Sequence, residues 1–186
     1  MKLKILNLIC AVSSLVLVAL ASSSANATVY TFSQGGYSGG GIVTGSFDAI
    51  DLDGNGQISS FFGEVSGFTM SFLGDSSVGS FSHSISNLYG LVYDIGSGFI
   101  GDGPGGSVEG LATNWPFATS GFDFASGLGP TGSFGGRVIQ IDTGATSYTS
   151  QMISVSPVPE PATYAMLLAG LGLLGFTARR RKDINV

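Results

Sequence analysis

Between Thr28 and Ser156 no run of residues keeps an apolar side chain at every third or fourth position. A chain without that period does not build its core from amphipathic helices. It carries instead short runs in which apolar and polar residues alternate, divided by glycine-rich turns. The clearest is Phe68-Thr69-Met70-Ser71-Phe72, where a period of two sends Phe68, Met70 and Phe72 to one face and the residues between them to water. The other candidate strands are Thr28–Ser33, Gly41–Ala49, Gly79–Ser84, Asn87–Ile95, Gly106–Thr113, Phe117–Phe124, Gly136–Thr143 and Met152–Val155, with Val65–Phe72 holding the alternating run. Turns are expected at Gln34–Gly40, Gly96–Gly105 and Ala125–Gly135. Many short strands at regular spacing predict an all-β fold, a β-sandwich or jelly-roll-like domain. The 30 glycines leave a disordered low-complexity chain as the competing reading, but 13 Phe and 6 Tyr supply apolar surface that such chains lack.

The two ends follow different rules. Lys2 and Lys4 precede an apolar stretch from about Ile5 to Leu20, and a polar segment then closes on Ala25-Asn26-Ala27. This is the layout of a secretory signal peptide, residues 1–27, with Ala25 and Ala27 as the small residues at the cleavage site and Thr28 as the first mature residue. An uncleaved anchor is the alternative. At the other end stand Pro157-Val158-Pro159-Glu160-Pro161, seventeen uncharged residues from Ala162 to Ala178, and Arg179-Arg180-Arg181-Lys182. The prolines fix φ and remove donors, so a helix can begin only after Pro161. A helix over 162–178 would be roughly 26 Å long, at the short end of a transmembrane span. The four cations would hold its far end in the cytoplasm.

Val158-Pro159-Glu160-Pro161, followed by Ala162-Thr163, the apolar span and the arginine cluster, resembles the PEP-CTERM sorting signal. That tail is also known as the ice-binding protein C-terminal domain, a label that says nothing about ice for this chain. The tail is taken as residues 157–186, and the resemblance covers about 157–182 of it. It implies that Pro159, Glu160 and Pro161 are recognised by an exosortase, a membrane-embedded cysteine transpeptidase, and that processing falls at or near them. It further implies a Gram-negative host that makes exopolysaccharide. The partners to expect are then the Sec translocon, signal peptidase, exosortase, the membrane through the C-terminal helix, and exopolysaccharide. The runs Thr44-Gly45-Ser46-Phe47-Asp48, Asp51–Ile58 and Leu91-Val92-Tyr93-Asp94 resemble the Gly/Ser/Phe-rich β domains that such tails often follow.

With the ends set aside, residues 28–156 form one acidic domain. It has ten carboxylates against Arg137 alone, a net charge of −9 where the whole chain has −5. Such a surface repels nucleic acid and anionic headgroups. Cys10, the one cysteine, lies in the leader, so the mature chain has neither disulfides nor thiol chemistry.

The sharpest motif in the domain is Asp51-Leu52-Asp53-Gly54-Asn55-Gly56-Gln57-Ile58. Oxygen ligands at the first, third and fifth positions, glycine at the sixth and an apolar residue at the eighth form the first half of a calcium loop. Asp51, Asp53 and Asn55 would offer side chains and Gln57 its carbonyl, while Ile58 would pin the loop to the core. The twelfth position is Phe62, so Glu64 or a distant aspartate would have to complete the shell. A plain Asp-Gly-Asn-Gly turn is the alternative reading.

Catalytic chemistry has thinner support. His83 is the single histidine, read as a surface or rim residue of an alternating strand. One histidine without cysteine is too few for a usual zinc site. Glu64 and Glu109 are the domain's only glutamates, and a glycosidase would need them to face each other. Trp115 with Tyr89 or Tyr93 could stack on a sugar ring, or could pack the core. Asp102 sits in a second glycine-rich acidic turn. The expectation is a non-enzymatic protein that is exported, held in the membrane at least transiently, and then placed at the cell surface or in the extracellular matrix. Its role would be structural or adhesive and calcium-stabilised, with a carbohydrate-binding module as the alternative and a hydrolase as a third class.

Overall fold

The computed structural model of the chain describes residues 27–101, 108–116, 118–127, 135–159, 164, 166–172 and 174. The strands, in order, are β1 (Thr28–Gln34), β2 (Val43–Ala49), β3 (Gln57–Ser59), β4 (Val65–Phe72), β5 (Phe81–Ser84), β6 (Leu88–Asp94), β7 (Phe99–Ile100), β8 (Gly110–Thr113), β9 (Phe122–Gly127), β10 (Gly136–Gln140), β11 (Ala145–Thr149) and β12 (Ile153–Pro157). Short 3-10 turns cover Ser60–Phe62 and Ile85–Asn87.

These strands make two six-stranded sheets, ordered β5-β4-β2-β1-β12-β7 and β11-β10-β9-β8-β6-β3. Every pairing is antiparallel. The expected all-β sandwich is therefore present. β4 alternates as its sequence requires, with Phe68, Met70 and Phe72 buried and Ser66 and Thr69 exposed. β3, β7 and β11 are strands the sequence did not announce. Each is short or flanked by turn residues, and each forms by pairing with a neighbouring strand. The strand expected at Phe117–Phe124 is shifted toward the C-terminus, to Phe122–Gly127, because Ala125 and Ser126 pair with both β8 and β10.

The sheets meet through aromatic rings. Tyr30 stacks on Phe47 at 4.9 Å within the first sheet. Tyr93 of the second sheet meets both rings edge-on, at 5.5 and 6.0 Å. At the other end of the sandwich Phe81 and Phe122 stack across the sheets at 4.6 Å. Each fully buried ring of this kind contributes about 1.5–3 kcal/mol. Gly45 leaves the space that Phe32 fills, since a Cβ there would lie 2.3 Å from the Phe32 ring.

Tyr93 is thus a core residue, 1 % exposed, and not a ring offered to a sugar. His83 is also corrected: it is buried, not at a rim, because its strand position faces Phe81 and Thr113 between the sheets.

At the C-terminus residues 164, 166–172 and 174 are helical. Among the described residues no helix is long and apolar enough to cross a membrane. The rest of the expected span, residues 1–26 of the signal peptide with Ala25, Glu160, Pro161, Asp102 and the cluster Arg179, Arg180, Arg181 and Lys182 lie outside the described residues.

Candidate functional site

Three features of the sandwich carry chemistry: an acidic loop, a groove on the outer face of the second sheet, and the corner where the chain ends.

The acidic loop is an excursion between β2 and β4. It is closed at its base by the Ile50 N–H donating to the Glu64 carbonyl, 2.9 Å. Asp51 Oδ1 accepts from the N–H groups of Gly54 and Asn55, and Oδ2 from that of Gly56. Gly54 and Gly56 have φ of 73° and 83°, left-handed values that glycine tolerates, which explains the Asp-Gly-Asn-Gly spelling. The N–H donors, that of Gly56 foremost, hold the Asp51 carboxyl below the usual carboxylate range. Asp53 accepts from Asn55 N–H and Asn55 Nδ2, and Asn55 Oδ1 accepts from Gln57 N–H. Gln57 reaches sideways, its Nε2 donating to Asp94 Oδ1. Ile58 is buried, as its place in the motif requires.

Glu64 enters this loop from β4's leading edge. It is buried, and its two oxygens accept from Leu52 N–H at 2.9 Å and Ser59 N–H at 2.8 Å. Oxygens of Asp51, Asp53 and Glu64 lie within 4.8 Å of one another. The residue two positions late in the linear motif is therefore the one the fold brings in. Asn55 and Gln57 hydrogen-bond within the loop and to β6 and do not belong to that carboxylate group.

Glu109 repeats the device. It is fully buried, and its oxygens accept from Asp94 N–H and Gly101 N–H, tying β6 to the end of β7. Both glutamates of the domain are main-chain clamps, each already committed to two N–H donors. His83 is committed as well. Its Nδ1 lies 2.7 Å from Thr113 Oγ1 and its Nε2 lies 3.2 Å from Asn114 Nδ2, and among the described residues no serine hydroxyl is bonded to it. The same Asn114 amide donates to the Phe122 carbonyl, so Nε2 is the acceptor and Nδ1 carries the proton.

The groove lies over β6 and β8. Gly90, Gly110 and Ala112 form its floor, and Phe61, Tyr89, Val108 and Trp115 stand around it, enclosing about 280 Å³. Phe61 is 64 % exposed and meets Tyr89 edge-on at 6.5 Å. A Cβ at Gly90 would strike the Phe61 ring at 2.7 Å, so the small floor residue sets the ring's position. Trp115 follows Asn114, whose φ of 56° and hydrogen bonds to Asn87, His83 and Phe122 fix the turn. The Arg137 guanidinium lies over the Trp115 ring, 4.1 Å from its centroid. Among the described residues its Nε and Nη2 are buried without a hydrogen-bond partner, as is Oδ1 of Asp123 on the neighbouring strand. Burial pushes the Asp123 carboxyl up, and Arg137 partly offsets that. The sequence singled out Trp115 and Tyr89 but not Phe61, Arg137 or Asp123. Arg137 did carry a signal, as the one cation of an otherwise acidic domain.

The third feature is the corner. β12 pairs with β1, Tyr30 opposite Pro157, and the Val158 N–H donates to the Val29 carbonyl at 2.7 Å. Thr28 pairs with Ala49, one residue before the acidic excursion. The chain's entry, its exit and the acidic loop therefore share one end of the sandwich.

These features define a β-sandwich module with a sorting tail attached directly to its last strand. Residues 157–182 match the family model described as the PEP-CTERM protein-sorting motif. That motif implies export, exosortase processing and sorting to the cell surface. No curated protein and no solved structure matches the chain.

Burial lowers the affinity of His83 for a proton, and a charged ring would set an N–H against the Asn114 amide. Its stabilising share is thus complete above the unfolded value of about 6.5 and is lost as pH falls below it. The melting temperature of residues 28–158 should fall between pH 7 and pH 5. In His83→Gln that fall should shrink, and an unchanged slope would contradict the assignment.

Proposed function

We propose that the protein is a surface component, exported and sorted by an exosortase, whose sandwich plays a structural or adhesive role in the extracellular matrix without catalysis of its own. The observation that carries this reading is the junction: the matched sorting motif begins at Pro157, the last residue of β12, so the domain and its tail are one continuous unit. The signal peptide 1–27 and the membrane span 162–178 complete the reading, with Pro159, Glu160 and Pro161 as the recognised element. Intact mass of the protein recovered from its native host tests it. The expected species starts at Thr28 and ends at or near Pro159–Pro161. A species with the mass of the uncut 186-residue chain would overturn it.

The groove favours a second reading, in which adhesion runs through carbohydrate. Aromatic walls offer faces for the C–H side of a sugar ring, as apolar pockets with a few polar groups generally do. The Arg137 guanidinium over the Trp115 ring helps to hold that wall of the groove in place. A glycan array with residues 28–158 should give a signal that weakens tenfold or more in both Trp115→Ala and Phe61→Ala. Silence on exopolysaccharide fragments, or a signal indifferent to both changes, rejects carbohydrate.

Calcium belongs to the same proposal. Asp51, Asp53 and Glu64 would supply its carboxylate oxygens, the Gln57 carbonyl and Asn55 standing beside them. Each carboxylate oxygen that accepts one N–H keeps a second lone pair for a cation. Added calcium should raise the melting temperature of residues 28–158, and Asp53→Ala should abolish the rise. Equal melting in calcium and in chelator would remove calcium from the account.

A further inference from the structure

Of the six asparagines in the chain, only Asn55 is followed by a glycine. Asparagine is chemically labile, because the nitrogen of the next peptide can attack its side-chain carbonyl and close a five-membered ring. Glycine is the follower that permits this best, since it has no Cβ to crowd the closing ring. The acidic loop acts on that reaction in two opposed ways. Asn55 Oδ1 accepts from the Gln57 N–H at 2.7 Å, which folds the side chain back over the peptide joining residues 55 and 56. A donor therefore sits on the oxygen where negative charge develops during attack. Against this, the Gly56 N–H donates to Asp51 Oδ2 at 2.9 Å. The attacking nitrogen must lose that proton, and a carboxylate beside it disfavours the resulting anion. Water has access, since Asn55 and Gly56 are exposed and line an open depression with Gln57 and Asp94.

We propose that Asn55 is a modification site, converted spontaneously to aspartate and isoaspartate, with Asp51 as the positioning residue that slows the change. The Gly56 nitrogen gives its proton to hydroxide and bonds to Asn55 Cγ. The Cγ–Nδ2 bond then breaks, and ammonia leaves with a proton taken from water. The product is a succinimide ring. Water adds to either of its carbonyls and opens it. One opening leaves aspartate at position 55. The other leaves isoaspartate, in which the backbone runs through the former side-chain carbon. Water is the only co-reactant. Either product adds a carboxylate to a loop where oxygens of Asp51, Asp53 and Glu64 already lie within 4.8 Å of one another. Like charges so close repel. Isoaspartate also lengthens the backbone by one atom just before the Gly56 N–H, so the bond to Asp51 that fixes the turn is lost. The loop of an old molecule then differs from that of a new one.

The modification needs neither calcium nor the sorting enzyme, so its test is separate from theirs. The freshly made full-length chain is held for about two weeks in mildly alkaline buffer and sampled by peptide mapping, with electron-transfer fragmentation to tell isoaspartate from aspartate. Conversion should rise with time at position 55 and be at least tenfold slower at Asn87 and Asn114. Asn55→Gln should slow it at least tenfold as well. Asp51→Asn keeps the shape of the side chain and removes its charge, and should speed conversion of Asn55 at least threefold. Glu64→Gln loosens the base of the loop, leaves the Asp51–Gly56 bond, and should change the rate less than twofold. In urea, wild type and Asp51→Asn should convert alike. A wild-type chain that shows no conversion at position 55 overturns the modification site. Equal rates in folded wild type and Asp51→Asn overturn the part given to Asp51, and so does an equal acceleration in Glu64→Gln.

Discussion

The pairing of the last strand with the first is the constraint on which the rest of the structure depends. β12 lies between β1 and β7 in the middle of the first sheet's far half, so the sheet is incomplete until the chain has been made almost to its end. Val155 and Ile153 deliver the final side chains to the core from that strand. The same pairing fixes where the chain enters and leaves. With Tyr30 opposite Pro157, the start of β1 and the sorting motif are neighbours, and the motif's first residues are held by the sheet.

A strongly acidic domain faces a second constraint, the placement of its carboxylates. The solution is to turn several of them toward main-chain donors. Asp51, Glu64 and Glu109 each accept from at least two backbone N–H groups. A buried carboxylate so bonded organises a loop that has few apolar residues to organise it otherwise. This explains how glycine-rich excursions between strands hold one shape. It also explains why the two glutamates do not serve as a facing acid pair.

Much of the architecture was legible in the sequence because burial of one sheet face writes a period of two into the strand. Val65–Phe72 is the plainest example, and its buried set is the one read from the alternation. β3, β7 and β11 were illegible since their conformation comes from a partner strand, over only two to five residues. Asp51, Asp53 and Asn55 were readable as a loop because glycine in left-handed conformation has a fixed spelling. Spacing left Glu64 as one of two ways to complete the shell, since its place depends on the excursion folding back to its own base. His83 was misplaced for a similar reason. Its neighbours Ser82 and Ser84 made the strand look polar, yet the side chain faces inward against Phe81 and Thr113. Trp115 and Tyr89 reach one groove only through the turn at Asn114 and the 3-10 turn carrying Phe61, neither of which has a sequence period.

The closure of the sheet by β12 can be measured directly, residue by residue, through amide hydrogen exchange on residues 28–162. The Val155 amide, bonded to Gly98, should exchange with the slowest class, together with the buried strands of the core. The Val158 amide, bonded to Val29, should be protected too, but exchange faster, through opening of the corner alone. Exchange of both amides at the rate of an unfolded chain would contradict the account, because β12 would then not close the sandwich.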